Sequence, residues 1–163
     1  MSADFGVAAL AGLGGVVVMT VLMYIMVAFG FRVDIPYLIG TRYVNPDRSG
    51  MVYFIGFLLH LMIGILWGFI YTLLMIGMVE SPNLMLGFLF GTAHGIFVGV
   101  LISTFADRHP HVGQDKAIPD PGMFGNRWGI SVPFMIILLH IVYGLTMTYL
   151  YNMLYHPELM PAM

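Results

Sequence analysis

Four long apolar stretches divide the chain, and none of them contains an aspartate, glutamate, lysine or arginine. They cover residues 5–29, 51–79, 84–106 and 128–155. Each stretch exceeds the roughly 20 apolar residues that a helix needs to cross about 30 Å of hydrocarbon. The pattern therefore predicts an all-α fold: a four-helix transmembrane bundle that forms one integral membrane domain over residues 1–163, with connecting loops at residues 30–50 and 107–127.

All six basic residues fall in these two loops. They are Arg32, Arg42 and Arg48 in the first loop and Arg108, Lys116 and Arg127 in the second. With four spans, the two loops share one face of the membrane, while the N-terminus, the turn at Glu80 and the tail after Tyr155 share the other. Because lysine and arginine collect on the cytoplasmic side, this distribution predicts two cytoplasmic loops and both termini on the non-cytoplasmic side.

The composition narrows the class of protein. A mean hydropathy of +0.91, with 60% hydrophobic and 9% charged residues, argues against a soluble domain. The absence of cysteine excludes disulfides and thiolate metal sites. No run of basic residues suggests nucleic acid as a partner. The expected partners are membrane lipid and other integral membrane proteins.

Glycines recur at every fourth position in the second and third spans. Residues four apart share one helix face, and rows of small residues let helices approach closely. We therefore predict helix-packing positions at Gly56, Gly64 and Gly68 in the second span, at Gly87, Gly91, Gly95 and Gly99 in the third, and at Gly144 in the fourth. This spacing specifies close packing rather than chemistry.

Three histidines lie well inside the apolar stretches. His60, His94 and His140 fall in the second, third and fourth spans. At 1.5 Å per residue, each lies about 14–18 Å from the start of its span. Because the third span runs opposite to the other two, all three imidazoles converge near the middle of the membrane. Ionisable side chains at that depth normally face the bundle interior and are candidates for function.

Several roles are open for these histidines. As neutral rings they can hydrogen-bond across helices, to a carbonyl or to one of four hydroxyl groups, and so fix how the spans dock. Those hydroxyls belong to Tyr71, Tyr143, Thr92 and Thr148. One or two histidines can instead be axial ligands of a haem or chlorin, whose propionates would meet the basic loops. A three-histidine metal site or part of a permeation path are further alternatives.

Other features of the sequence carry less chemistry. Asp107, His109 and His111 lack the spacing of a specific metal signature. The fifteen methionines are scattered, which is typical of flexible apolar packing. The spans contain no carboxylate to relay protons, and the chain has no catalytic triad order or phosphate loop. We therefore predict no catalytic residue and no dedicated metal site.

Short motifs are spread over nearly the whole chain. They lie at residues 15–20 with Met23, 33–40, 56–64 with Tyr71, 87–94, 121–122 and 140–144. In this order of motifs the chain resembles a bacterial family of small four-span membrane proteins that is known only as a domain of unknown function. The resemblance implies a compact four-helix fold and places the three histidines among the recurrent positions of the family. It implies no activity.

The sequence thus predicts a non-enzymatic integral subunit or accessory protein of a larger membrane complex in the cytoplasmic (inner) membrane of a bacterium. The reasons are the lack of catalytic groups, the glycine-rich packing faces and the small soluble portion. The alternative is a haem- or chlorin-binding redox or pigment protein whose cofactor binds at His60, His94 and His140. A small transporter or channel is a third hypothesis.

Overall fold

The computed structural model describes residues 3–79, 82–113 and 115–155 of the chain. Its helices are α1 (Phe5–Ala28), α2 (Ile35–Gly40), α3 (Ser49–Met78), α4 (Leu84–Asp107) and α5 (Val132–Leu154), with a 3-10 turn at Met123–Gly125. The four long helices are long and apolar enough to cross a membrane. The predicted all-α fold with four transmembrane helices is confirmed. The turn at Glu80 and the tail after Tyr155 lie outside the described residues.

Polar residues at the helix starts fix several of these boundaries. The side chain of Asp4 accepts a hydrogen bond from the backbone N–H of Val7 (2.9 Å), and that of Asn83 accepts one from Leu86 (3.0 Å). Each bond satisfies an N–H group that has no partner within its own helix. Helix α5 begins at Val132, later than the apolar stretch, and has a proline in its first turn, where the missing N–H is harmless.

The long helices form an open arc in the order α3, α1, α5, α4. Helix α1 packs against α3 and α5, and α5 packs against α4. Neighbours in this arc are antiparallel, as shown by the hydrogen bond from the backbone N–H of Asp4, before α1, to the hydroxyl of Tyr151 near the end of α5 (3.1 Å). By contrast, α3 and α4 have few close backbone contacts, although only residues 79–83 join them.

The glycine row of α4 faces α5. A Cβ atom added to Gly91 would lie 2.5 Å from the carbonyl oxygen of His140, and one added to Gly95 would lie 2.7 Å from the Cα of Ile137. Gly87 and Gly144 face each other along the same contact. The last glycine of the row, Gly99, lies against the ring of Phe124 in the loop before α5.

The glycine row of α3 faces α1 and α2. A Cβ atom on Gly68 would lie 2.8 Å from the Cα of Gly12, and Gly64 lies directly against Val16. Nearer the start of α3, Gly56 lies against the carbonyl group of Pro36 in α2. The two glycine rows therefore do not face each other. One row packs α3 against α1 and α2, and the other packs α4 against α5, so α3 and α4 lie at opposite ends of the arc.

We call the face that carries residues 29–48 and 108–131 the loop side of the bundle. There, Asp34 joins three helices. Its carboxylate accepts hydrogen bonds from the hydroxyls of Tyr24 in α1 (2.9 Å) and Tyr53 in α3 (2.7 Å), and from the backbone N–H of Tyr37 in α2 (3.0 Å). The short helix α2 is thereby fixed across the end of the bundle.

His109 attaches the second loop to α2. Its Nε2 lies 3.0 Å from the carbonyl oxygen of Leu38, and its Nδ1 accepts from the backbone N–H of His111 (3.1 Å). Because a carbonyl group only accepts, Nε2 must carry the proton and the buried ring is neutral. Both nitrogens are thus engaged, which argues against a metal site at Asp107, His109 and His111.

We expect this attachment to weaken as the pH falls below about 6.5, the ordinary pKa of histidine. Burial lowers the pKa of His109 in the folded protein. The unfolded chain therefore binds the proton more readily, and the stabilisation present above pH 6.5 is lost as the pH falls towards the lowered pKa. Thermal unfolding in detergent at pH 7.5 and pH 5 measures the effect. Compared with the wild-type protein, the fall in Tm should be smaller in His109→Gln, which keeps an uncharged donor. It should be the same as in the wild-type protein in His111→Gln. Equal falls in all three proteins would contradict it.

Candidate functional site

A cavity of about 510 Å³ lies where α3 and α4 diverge. Helices α1 and α5 supply its other walls, and α2 covers its loop-side end with Leu38 and Ile39. Its volume lies within the range of small-molecule sites, about 300–1,000 Å³, and its walls are mostly apolar, as such sites usually are. The cavity opens sideways to the membrane between Ile63 of α3 and Leu101 of α4, both of which are exposed.

All three predicted histidines line this cavity. His60 comes from α3, His94 from α4 and His140 from α5. The ring centroids of His94 and His140 are 4.6 Å apart, with the rings nearly perpendicular. His60 and His94 are buried, with 7% and 8% of their surface exposed. The structure therefore brings together three side chains that are far apart in the sequence.

The proton of His140 is fixed by its own helix. Its Nδ1 lies 2.6 Å from the carbonyl oxygen of Ile136, one turn earlier in α5. A carbonyl oxygen only accepts, so Nδ1 carries the hydrogen and Nε2 of the neutral ring keeps its lone pair. A backbone hydrogen bond of this kind also orients the imidazoles that bind metals in proteins. His140 is therefore prepared to accept a hydrogen bond or to ligate a metal through Nε2.

His94 is held by two aromatic side chains of α3. Its Nδ1 lies 3.2 Å from the hydroxyl of Tyr71, and its ring packs against that of Trp67 with centroids 3.8 Å apart and an angle of 32° between the ring planes. These contacts join α3 to α4 across the otherwise open side of the arc. Of the four hydroxyls considered from the sequence, only that of Tyr71 meets a histidine. Sequence reasoning missed Trp67, because an aromatic residue in an apolar helix carries no signal of its neighbour.

The other three hydroxyls bind elsewhere. Tyr143 donates to the carbonyl oxygen of Gly64 (2.6 Å), and Thr92 donates to that of Phe88 in its own helix (2.8 Å). Thr148 lies 3.8 Å from the sulfur of Met75. Interhelical hydrogen bonds therefore join α3 both to α5, through Tyr143, and to α4, through Tyr71 and His94. Of the three cavity histidines, only His94 takes part in such a bond with a described residue.

His60 has an unpaired polar atom. Within the described part of the chain, its buried Nε2 meets no hydrogen-bond partner. Leaving a buried polar group unpaired costs about 1–3 kcal/mol, and in native proteins such groups are few. Because this atom is enclosed, a ligand in the cavity could pair with it only after the ring of His60 turns.

Two arginines line the loop-side end of the cavity. Arg42 follows α2, and Arg108 follows α4. Both are exposed, and neither forms an ion pair with any described residue. In the sequence, nothing distinguishes them from the other four basic residues of the two loops. Their place at the cavity depends on how the loops cross the bundle end, which no local pattern specifies.

The lining limits the chemistry of the site. Among the described residues, no aspartate or glutamate lines the cavity, so this part of the chain supplies no acid–base pair of carboxylates there. Across residues 3–79, 82–113 and 115–155, no group of three His, Asp or Glu side chains is placed to hold a metal ion alone. The arrangement suits a molecule with an apolar body and negative charge at one end. Its other part would carry either a hydrogen-bond donor or a metal, because these are the groups that the lone pair of a neutral imidazole can bind.

Comparisons of the chain with protein-family models, with curated proteins and with solved structures give no match. The resemblance to a four-span family of unknown function therefore stays a prediction. Function must be inferred from the geometry of the cavity.

Proposed function

We propose that this multi-pass membrane protein is a non-enzymatic binding protein that holds a small amphipathic molecule in the cavity between α3 and α4. The observation that carries this proposal is an apolar cavity that three histidines line, one of which, His140, keeps a free lone pair at Nε2. A closely packed bundle without a ligand would gain stability from apolar residues at these positions. A bound molecule that donates a hydrogen bond to imidazole, or holds a metal for it to ligate, gives the histidines a role.

Binding fits the site better than transport. The four long helices run without interruption through the described residues, whereas transporter sites are typically built from broken helices. No carboxylate of the described residues lines the cavity to couple a solute to protons. A flux assay in liposomes would show no solute movement if the protein only binds its ligand.

Native mass spectrometry of the protein in mild detergent tests the proposal. The expected spectrum shows a bound small molecule that survives purification. Val98 lines the cavity, whereas Val100 lies on the same helix and faces outwards with 47% of its surface exposed. Val98→Trp should fill the cavity and remove the bound mass, while the matched variant Val100→Trp should retain it. No bound mass in the wild-type protein, or equal occupancy in both variants, would overturn the proposal.

The proposed setting is the inner membrane of a bacterium, with the loop side in the cytoplasm. The support is that all six lysines and arginines belong to the two loops on that side. In this orientation the arginine-lined end of the cavity faces the cytoplasm. A reporter fused after Met163 should work only outside the cytoplasm, and a reporter active only inside would reverse the orientation.

A second candidate function is that of an accessory subunit in a larger membrane complex. The observation that favours it is the lateral opening between α3 and α4, where exposed apolar side chains border the cavity. A transmembrane helix of another subunit would cover this gap. Purification of a tagged copy in mild detergent should then recover other membrane proteins with it. A clean monomer in the native mass spectrum would count against this role and leave ligand binding intact.

A further inference from the structure

The free lone pair of His140 restricts what the cavity can bind. Because Nδ1 donates to the carbonyl of Ile136, Nε2 can only accept a hydrogen bond or ligate a metal centre. Carbonyl and ionised carboxylate groups, which only accept, do not satisfy it. An acyl chain offers it nothing at all. An acyl chain lying beside His140 would therefore leave its Nε2 without a partner.

The second imidazole comes from the other wall. His60 belongs to α3 and His140 to α5, which joins α4 at the far end of the arc. The cavity thus has a histidine from each side of the gap between α3 and α4. A flat ligand with a metal at its centre can take one imidazole on each face.

The loop-side end adds a requirement for negative charge. Arg42 and Arg108 line it without an ion pair among the described residues. Guanidinium groups bind carboxylates through paired, charge-assisted hydrogen bonds. Between the arginines and the histidines the walls are mostly apolar. A ligand that matches the whole cavity has a metal centre, an apolar body and carboxylates along one edge.

We propose that the cavity binds a carboxylated metal tetrapyrrole, with His140 and His60 as axial ligands and its carboxylates at Arg42 and Arg108. This rests on the proposed function and names its ligand class. His94 is a positioning residue: its ring contacts His140 and is fixed by Tyr71 and Trp67.

The test titrates the purified protein in mild detergent with hemin, hemin dimethyl ester and metal-free protoporphyrin, and follows the Soret band. Hemin should bind saturably at one equivalent, with a shifted Soret band. Metal-free protoporphyrin should bind at least about tenfold more weakly, because it keeps the carboxylates but has no metal to ligate. The dimethyl ester should also bind more weakly, and the double variant Arg42→Gln/Arg108→Gln should bind hemin no better than wild type binds the ester.

Variants separate ligation from packing. His140→Ala should lose the shifted Soret band and weaken hemin binding at least about tenfold, and added imidazole should restore the band by entering the vacated space. The control His111→Ala, in the loop outside the cavity, should behave as wild type. Size-exclusion profiles identify variants that fail to fold, and His60→Leu supplies a second substitution at the other proposed ligand. Recovery of the band with imidazole is a readout that a merely structural histidine would not give.

The outcomes also separate this inference from the proposed function. Equal binding of hemin and metal-free protoporphyrin, or an unchanged Soret band in His140→Ala and His60→Leu, would overturn axial ligation. If native mass spectrometry shows another molecule that Val98→Trp displaces while hemin does not bind, the cavity is a binding site but its ligand is not a metal tetrapyrrole. If no molecule binds and Val98→Trp has no effect, both conclusions fail.

Discussion

Gly91→Leu should separate α4 from α5 and leave little folded protein. A Cβ atom at Gly91 would lie 2.5 Å from the carbonyl oxygen of His140 and 2.7 Å from the Cα of Ile141. Both are backbone atoms of α5, so relief requires the whole helix to move. Overpacking of a well-packed core typically costs 1–3 kcal/mol, and we expect about 3 kcal/mol or more here because no side chain can turn away. The free energy of unfolding in mixed micelles measures the effect.

Gly77→Leu is the matched control for this change. Gly77 is also a helical glycine, near the end of α3, but an added Cβ would meet no atom within 4 Å. Its replacement should change the free energy of unfolding by less than about 0.5 kcal/mol, as for other surface positions. If the two leucine variants proved equally stable, the close approach of α4 and α5 at Gly91 would be wrong. The position of His140 would then be wrong too, since His140 lies on the same contact.

The depth of the histidines could be predicted from the sequence because it depends on local geometry alone. A helix rises by a fixed distance per residue, and the polar loops fix where each span begins. For His60, His94 and His140 these two facts place the rings at similar depths, and the structure has all three on one cavity. The same reasoning identified the glycine rows, since a four-residue spacing defines a helix face whatever lies against it.

The order of the helices could not be predicted in this way. Helices α3 and α4 are joined by a short turn, which would make them neighbours by connectivity. In the structure, the close approach of Gly12 to Gly68 holds α3 against α1, and that of Gly144 to Gly87 and Gly91 holds α4 against α5. The cavity exists because these two contacts pull the linked helices apart. The four-residue spacing shows that one face of a helix is lined by small residues. It does not show which of the three other helices packs against that face.

The polar groups at the ends of the site were also beyond local reasoning. Arg42 and Arg108 reach the cavity only through the path of two loops, and Asp34 finds its tyrosines on two different helices. Such contacts join residues from separate elements, so their partners emerge only once the helices are docked. For the same reason the sequence could propose Tyr71 as a partner of a histidine without deciding which one.

Asp34→Ala should be the most destabilising substitution outside the helix interfaces. It removes the acceptor for the hydroxyls of Tyr24 and Tyr53 and the cap of α2 in one change. Hydrogen bonds to a charged group contribute about 1.5–3 kcal/mol each when buried, and these are only partly buried, so we expect a total loss of about 3 kcal/mol. Because α2 covers the loop-side end of the cavity, this substitution should also speed the release of any bound ligand.

Two control variants and a double-mutant cycle make the test specific to the contacts of Asp34. Asp34→Asn retains an oxygen for Tyr24 and the helix cap, so its loss should be about 1 kcal/mol. Asp47→Ala removes an exposed carboxylate from the same loop and should have little effect. Tyr53→Phe should add almost nothing to Asp34→Ala, because the hydroxyl of Tyr53 has already lost its partner. Fully additive losses in the double variant would mean that Asp34 and Tyr53 act independently, and that the loop side of the bundle is held together by other contacts.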